Sequence, residues 1–404
     1  MKKTWVTLSS AVLLIAASIV SCAGNTPQGN EQTAVPAANE PIADSLPLRE
    51  MQLTANASLP EPLNAIRLPE GFHIDTYAKV QGARSMTLSD NGILYVGSMG
   101  KNVYAVVDEN KDGKADQVYT VAKNLNTPNG VAWKNGHLYI ATISSILKLE
   151  NIDERLASPP APVTVYDKYP TDRHHGWKFI AFGPDEKLYV PVGAPCNICE
   201  SKNPVYASIT RMNADGSGME IFAKGVRNTV GFTWHPETKH LWFTDNGRDN
   251  MGDNMPADEL NTAPASGMHF GYPYCHQGDT PDPEFGKGKS CGDYVAPVQN
   301  LTPHGAALGL RFNTGSHFPA SFKNALLIAE HGSWNRSEPI GYRIGMVQLD
   351  ASGKSTGFTT FADGWLQPGG KVLGRPVDVQ FLQDGSMLIS DDYSNLIYRV
   401  TYKP

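Results

Sequence analysis

A two-segment unit recurs six times along the sequence: a short apolar segment, a compact turn and a second apolar segment. The second segments read Leu94-Tyr-Val-Gly, Leu138-Tyr-Ile-Ala, Leu188-Tyr-Val-Pro, Leu241-Trp-Phe-Thr, Leu326-Leu-Ile-Ala and Met387-Leu-Ile-Ser. Five of them follow tight turns such as Ser89-Asp-Asn-Gly, Lys134-Asn-Gly-His and Gln383-Asp-Gly-Ser, where Asn-Gly and Asp-Gly supply the positive φ angles that hairpins demand. The first segments run from Arg84, Gly130, Trp177, Val230, Leu308 and Val377. The second segments start 44, 50, 53, 85 and 61 residues apart. A four-stranded blade takes about 40 to 50 residues, so the two longer intervals carry insertions. Six such units predict an all-β, six-bladed β-propeller, closed so that no blade edge stays open. The last unit ends on a strand, 396–402, without an outer strand of its own, and the segment 72–78 is expected to supply it. Two stacked sandwiches would use as many short strands but would not explain the spacing.

The residues ahead of the repeats read differently. Lys2 and Lys3 precede an apolar run, Val6 to Val20, shorter than the roughly 20 residues of a membrane span and fitting the core of an export signal. It ends Ile19-Val20-Ser21-Cys22, a pattern similar to the bacterial lipoprotein signal, in which Cys22 is lipidated. The alternative is an ordinary cleaved signal with Cys22 incidental. Residues 23–62, rich in Pro, Ala, Asn, Gln and Glu, are expected to form a flexible tether, and 63–404 the propeller. The expected location is the cell envelope, held by a lipid anchor on the periplasmic side; Ala23 in place of Asp favours the outer membrane. With 34 basic and 40 acidic residues and no basic stripe, nucleic acid is not an expected partner.

Besides Cys22 the chain holds Cys196, Cys199, Cys275 and Cys291. An even count in an exported chain reads as two disulfides, Cys196 with Cys199 at the rim after the third unit and Cys275 with Cys291 within the long insertion. Glu200 follows Cys199 where a c-type haem site needs histidine. A four-cysteine zinc site is the remaining alternative.

Propeller topology sorts the loops onto two faces. Residues just before each inner strand and just after each second strand gather at one mouth of the axial channel. These are Arg84, His174, His175, Arg227, Asn228 and Arg375, then Asp245, Asn246, Gly247, Arg248, His331, Trp334, Asn335 and Arg336. The turns on the other face carry ordinary Asn, Asp, Gly, Pro and Lys. Arginines converging on one mouth suit a polyanionic ligand, because guanidinium pairs with carboxylates in bidentate fashion. A histidine among them suits a general base.

Four stretches, His174-His-Gly-Trp-Lys-Phe-Ile-Ala-Phe-Gly-Pro-Asp, Gly225-Val-Arg-Asn-Thr-Val-Gly-Phe, Trp242-Phe-Thr-Asp-Asn-Gly-Arg-Asp and Glu330-His-Gly-Ser-Trp-Asn-Arg-Ser, resemble the sorbosone and pyranose dehydrogenases. These are quinoproteins related more distantly to soluble glucose dehydrogenase and the aldose sugar dehydrogenases. The resemblance covers roughly 64–403 and implies bound pyrroloquinoline quinone (PQQ) and calcium, a sugar or sugar-aldehyde substrate, and a separate electron acceptor. By it, His175 matches the catalytic base, with His174 open as the alternative. Arg227 and Asn228 match the pair beside the quinone and the substrate, and Asp258 matches an acidic residue of the active site. Gly247 and Arg248 match the loop whose main-chain oxygens hold calcium. Arg375 matches the first of two arginines that bind a PQQ carboxylate in glucose dehydrogenase. The second falls at Val377, a departure that His331, Trp334, Asn335, Arg336 and Arg84 are expected to make good.

The segment Asp108-Glu-Asn-Lys-Asp-Gly-Lys-Ala-Asp116 spaces Asp108, Asn110, Asp112 and Asp116 as an EF-hand-like calcium loop does, but carries Tyr119 at the twelfth position. A plain Asp/Asn/Gly turn is the alternative. Two further readings of the whole chain remain open: a calcium-dependent sugar lactonase and a non-catalytic sugar-binding propeller.

Overall fold

A computed structural model describes residues 51–404. Cys22, the expected signal and most of the expected tether lie outside the described residues. Six antiparallel sheets follow one another around a ring. Blade one spans Ala83–Leu88 to Gln117–Ala122, blade two Gly130–Lys134 to Val163–Tyr166, and blade three Ala181–Phe182 to Glu220–Lys224. Blade four runs from Phe232–Trp234 to Gln299–Asn300, and blade five from Ala307–Phe312 to Ser355–Ala362. Blade six has three strands from the C-terminal end, Pro376–Phe381, Met387–Asp391 and Leu396–Tyr402, and takes its outer strand, Phe72–Lys79, from the other end of the sequence. That ladder runs antiparallel from Leu396 opposite Lys79 to Tyr402 opposite Phe72.

The second strands are continuous apolar runs because both of their faces are covered. Those of blades one, three, four, five and six are buried at every position, since each is sandwiched between neighbouring blades. Six hydrophobic clusters lie between successive blades. Met86, Leu94, Leu388 and Ile397 meet between blades six and one, and Phe318, Phe322, Phe361 and Met387 between five and six. A small seventh cluster, Val230, Leu308 and Val377, sits where the inner strands of blades four to six converge. Close approach there requires glycine: a Cβ on Gly231 would stand 2.1 Å from the Leu308 carbonyl oxygen.

The 85-residue interval is explained by residues 264–298, inserted between the third and fourth strands of blade four. Within them Met268–His269 pairs in parallel with the outer strand of blade three, and disulfide Cys275–Cys291 closes the segment. Disulfide Cys196–Cys199 is also present, but it lies between the second and third strands of blade three, not after that blade. Two further differences concern extent. Leu53–Ala55, expected in the tether, pairs with Arg67–Pro69, and Met51 and Leu59 pack on the blade-five/six core. The few apolar residues in this polar stretch are enough to dock it against an existing surface. The inner strand of blade three, expected from Trp177, is ladder only at Ala181–Phe182; upstream, the Lys178 carbonyl accepts from Asn129 Nδ2 instead.

Candidate active site

The loops that join second to third strands, and those that link one blade to the next, meet around a cavity of about 430 Å³. Its lining includes Arg84, His174, His175, Trp177, Arg227, Asn228, Gly247, Asp258, His331, Trp334, Asn335 and Arg375, and its wall includes Val230 and Leu308 of the apolar axial cluster. Val377 completes that cluster, so an arginine there would place a cation among aliphatic side chains.

His175 sits in a left-handed backbone conformation, φ 50°, in the link into blade three. Its Nδ1 lies 2.9 Å from the Ala194 carbonyl oxygen. A carbonyl only accepts, so Nδ1 carries the proton and Nε2 keeps its lone pair. Burial, then the Arg227 charge, push the imidazole's pKa down to about 2, so the ring is neutral at physiological pH. Gly193 permits this placement: a Cβ there would stand 2.5 Å from the His175 Cβ. His174 lies against it, 4.0 Å between ring centroids with the rings tilted by 54°, and has no side-chain hydrogen bond to the described residues.

Asp245, at the end of blade four's second strand, accepts the main-chain N–H groups of Arg227 (2.8 Å) and Asn228 (2.6 Å) and so fixes the pair. Burial pushes its carboxyl up to about 7 against those two bonds. The Arg227 side chain donates to the Asn197 carbonyl oxygen, Asn197 Oδ1, the Asn246 carbonyl oxygen and Asp249 Oδ2. The Asn228 side chain makes no hydrogen bond among the described residues. Asp258 accepts from the main-chain N–H groups of Gly247 (2.9 Å) and Ala307 (3.2 Å), bracing the Gly247 loop from beneath. Burial raises its pKa to about 6.

Across the cavity, Asp392 ties Arg84 (2.6 Å) to His331 Nε2 (2.9 Å). Burial opposes its charge, but the His331 hydrogen bond and the Arg84 charge hold its pKa down to about 2. Burial lowers His331 to about 4 despite this carboxylate. Arg84 also donates to Asn129 and lies 4.0 Å above the Trp177 ring. Arg375 donates through Nε and Nη2 to the carbonyls of His331 and Gly332. The Nη2 of Arg84 and the Nη1 of Arg375 thus have no protein partner among the described residues. Asn335 donates to Asp249 Oδ1, and Trp334 is 76% exposed at the rim.

Two sequence expectations are corrected, and a third segment takes the alternative that its sequence left open. Arg336 is not in the cavity: it reaches the carbonyls of Asp253 and Pro303 and clamps the 249–256 loop, because those carbonyls have no ladder partner. Arg248, expected at the mouth, does not line the cavity as Gly247 and Asp249 do, and its side chain pairs with Asp282 (2.6 Å) and Glu284 (3.0 Å) of the inserted segment. Asp108, Asn110, Asp112 and Asp116 turn onto N–H groups of their own loop, on the face opposite the mouth. Among the described residues no group of three or more His, Cys, Asp or Glu is placed to hold a metal ion. The sequence reading missed Trp177, Asn197, Asp249, His304 and Asp392. Asn197 and Asp392 follow second strands and satisfy the same positional rule as His331.

The cavity's donor set fits a flat aromatic tricarboxylate. Three arginines from blades one, four and six face it, each with at least one unspent N–H group, beside indole surfaces, and its volume falls in the range of small-ligand sites.

A family model described as TrAA12-like matches residues 201–403. An uncharacterised protein of Borreliella burgdorferi is 33% identical over 359 residues, covering 85% of this chain and 92% of that protein. A PQQ-dependent pyranose dehydrogenase of Coprinopsis cinerea is 27% identical over 169 residues, 33% of this chain and 22% of that protein. Among solved structures, the holo form of the Coprinopsis cinerea pyranose dehydrogenase PQQ domain aligns with TM-score 0.72 at 20% identity, over 83% of this chain and 97% of that one. A calcium structure of the Trichoderma reesei family AA12 enzyme aligns with TM-score 0.74 at 19% identity, over 88% and 100%. The six-bladed fold is therefore shared with these quinoprotein propellers, and the chain belongs to the TrAA12-like family.

Proposed function

We propose that the chain is an oxidoreductase that oxidises a sugar or sugar-aldehyde hydrate with bound PQQ and calcium. One observation carries this reading: a neutral histidine, its Nδ1 pinned to a main-chain carbonyl, presents Nε2 beside a buried arginine in an arginine-lined cavity. PQQ, when bound, supplies a quinone that accepts hydride from the substrate carbon. The chain's own residues do the rest. His175 Nε2 takes the proton of the hydroxyl being oxidised. Arg227 and the Asn228 amide supply hydrogen bonds where negative charge develops. Arg375 and Arg84 would hold carboxylates, with Trp177 and Trp334 beside them. Asp258 steadies the loop whose main-chain oxygens, at Gly247 and Arg248, would face calcium. The names of the Coprinopsis and Trichoderma relatives support the cofactors.

The proposed place of action is the periplasmic side of the envelope, through an anchor on Cys22, with electrons leaving to a separate acceptor. The decisive experiment titrates purified apo-protein with PQQ in calcium and follows dye reduction over a panel of aldoses and sugar aldehydes. Saturable PQQ binding with sugar-dependent dye reduction is expected. Lactone hydrolysis in calcium alone, without PQQ binding, would overturn the reading in favour of a lactonase.

A further inference from the structure

The loop between the second and third strands of blade three carries Cys196-Asn197-Ile198-Cys199, and its asparagine lies at the junction of two active-site elements. Asn197 accepts Arg227 Nε on its main-chain oxygen (2.9 Å) and Arg227 Nη2 on Oδ1 (2.8 Å). The same Oδ1 accepts the Asp249 main-chain N–H at 2.8 Å, and Nδ2 donates to the Asp249 carbonyl at 3.2 Å. One residue thus meets Arg227, from the link between blades three and four, and Asp249, from the second-to-third-strand loop of blade four. The loop itself is fixed at both ends of the turn. Cys196 and Cys199 are joined, the Cys199 N–H donates to the Tyr272 hydroxyl at 3.0 Å, and that hydroxyl lies 3.5 Å from Cys196 Sγ.

We propose that Asn197, held in place by the Cys196–Cys199 disulfide, is the positioning residue that aims Arg227 and the Gly247–Asp249 loop at the reacting centre. A guanidinium has five N–H groups, and four hydrogen bonds from Arg227 to protein are present, two of them to Asn197. The one N–H left over, on Nη1, points wherever the other four dictate. Truncating Asn197 removes the Oδ1 acceptor of Nη2 while the main-chain acceptor of Nε remains, so the Nη2 end of the group is freed to swing toward Asp249. The disulfide closes a four-residue turn whose cysteines belong to none of the hydrophobic clusters between blades, and its local consequence lies in fixing Asn197. The proposal deepens the oxidoreductase reading and rests on it for the catalytic role, but not for the geometry.

The test has one arm that needs neither cofactor nor activity. Apo-protein is treated with phenylglyoxal, and the rate of modification at Arg227 is read by peptide mass mapping in wild type, Asn197→Ala, Asn197→Asp and the double variant Cys196→Ser/Cys199→Ser. Losing a charge-assisted hydrogen bond commonly shifts an equilibrium by about tenfold to a hundredfold. Arg227 should therefore react about tenfold faster in Asn197→Ala and in the double serine variant. It should react near the wild-type rate in Asn197→Asp, which keeps the Oδ1 acceptor. The second arm measures turnover with PQQ and calcium: kcat should fall in Asn197→Ala with the sugar KM little changed, and Asn197→Asp should recover most of it. A purely structural asparagine would lower thermal stability without that split and without rescue. Unchanged Arg227 reactivity in Asn197→Ala overturns the proposal. Faster Arg227 modification in a protein whose wild type neither binds PQQ nor turns over sugar would instead overturn the oxidoreductase reading and leave the positioning role standing.

Discussion

At His175 a left-handed backbone angle, a main-chain acceptor and a missing side chain opposite combine to set one proton. The folded ring is held neutral down to about 2, whereas the same imidazole in an unfolded chain takes up a proton near its ordinary value of about 6.5. The unfolded state therefore binds more protons between those limits, and this residue's contribution to stability is lost progressively as pH falls below about 6.5. In ¹⁵N-histidine NMR the His175 signals should stay those of the neutral Nδ1–H tautomer from pH 8 to pH 5. A titration midpoint near 6.5 would sink the assignment of His175 as a buried neutral base. His175→Ala should cost about 10²- to 10⁴-fold in turnover and leave PQQ binding close to wild type. His174→Ala should cost far less, since that ring has no anchor. Gly193→Ala probes the same geometry from behind: its Cβ would lie 2.5 Å from the His175 Cβ and 2.8 Å from the His175 carbonyl oxygen. Neither atom is the end of a flexible side chain, so the histidine must move. A misplacement of this kind costs about 10²-fold in rate. Wild-type kcat in a folded Gly193→Ala protein would show that the histidine's position is not what matters.

Among the elements, the loop from His331 to Tyr342, between the second and third strands of blade five, serves two tasks that its sequence does not separate. Its first half faces the cavity: His331 is tied to Asp392, and the His331 and Gly332 carbonyls hold Arg375. Its second half turns Arg336 away to carbonyls of the 249–256 and 301–306 segments. Arg375→Ala should weaken PQQ binding by about tenfold to a hundredfold, read by fluorescence titration in calcium. Arg336→Ala should leave that affinity near wild type while speeding proteolysis of the 249–256 loop. Equal losses of affinity in both would restore Arg336 to the cavity. The contrast shows where sequence reading stops. Propeller topology places every residue after a second strand at the mouth, and so finds His331, Trp334 and Arg336 alike. Which way each side chain turns depends on unpaired carbonyls of a neighbouring blade, and no local pattern records those. The Asp108–Asp116 loop is a second case. Its spacing is that of a metal loop, but short Asp and Asn side chains also cap their own backbone, and that is what they do here.

For the molecule as a whole, the repeat was legible because it is physical: each blade needs a second strand that is apolar on both faces, so six such runs count six blades. The insertion in blade four was visible as a long interval, but its route was not. A two-residue parallel pairing and a disulfide fix it, and neither leaves a periodic trace. Ring closure was legible from a missing strand. The segment Phe72–Lys79 joins blade six over seven paired positions, Phe72 opposite Tyr402 at one end. Phe72 packs edge-on to Phe318, Phe322 and Phe361 of blade five at 4.8, 5.1 and 5.1 Å between centroids. One side chain thus joins the closing strand to the interface between blades five and six. The cavity draws Arg84 from blade one and Arg375 from blade six, so the two arginines that each keep a whole terminal nitrogen free are brought to one cavity only in a closed ring. Phe72→Ala removes a buried aromatic side chain and should cost about 3 to 5 kcal/mol in guanidinium unfolding, with one cooperative transition retained. PQQ affinity measured well below that transition should be unchanged, because Phe72 touches nothing in the cavity. A loss under about 1 kcal/mol, small for a core aromatic truncation, would mean that the closing strand contributes little to the ring. A separate early transition for blade six would mean that the ring opens before it unfolds.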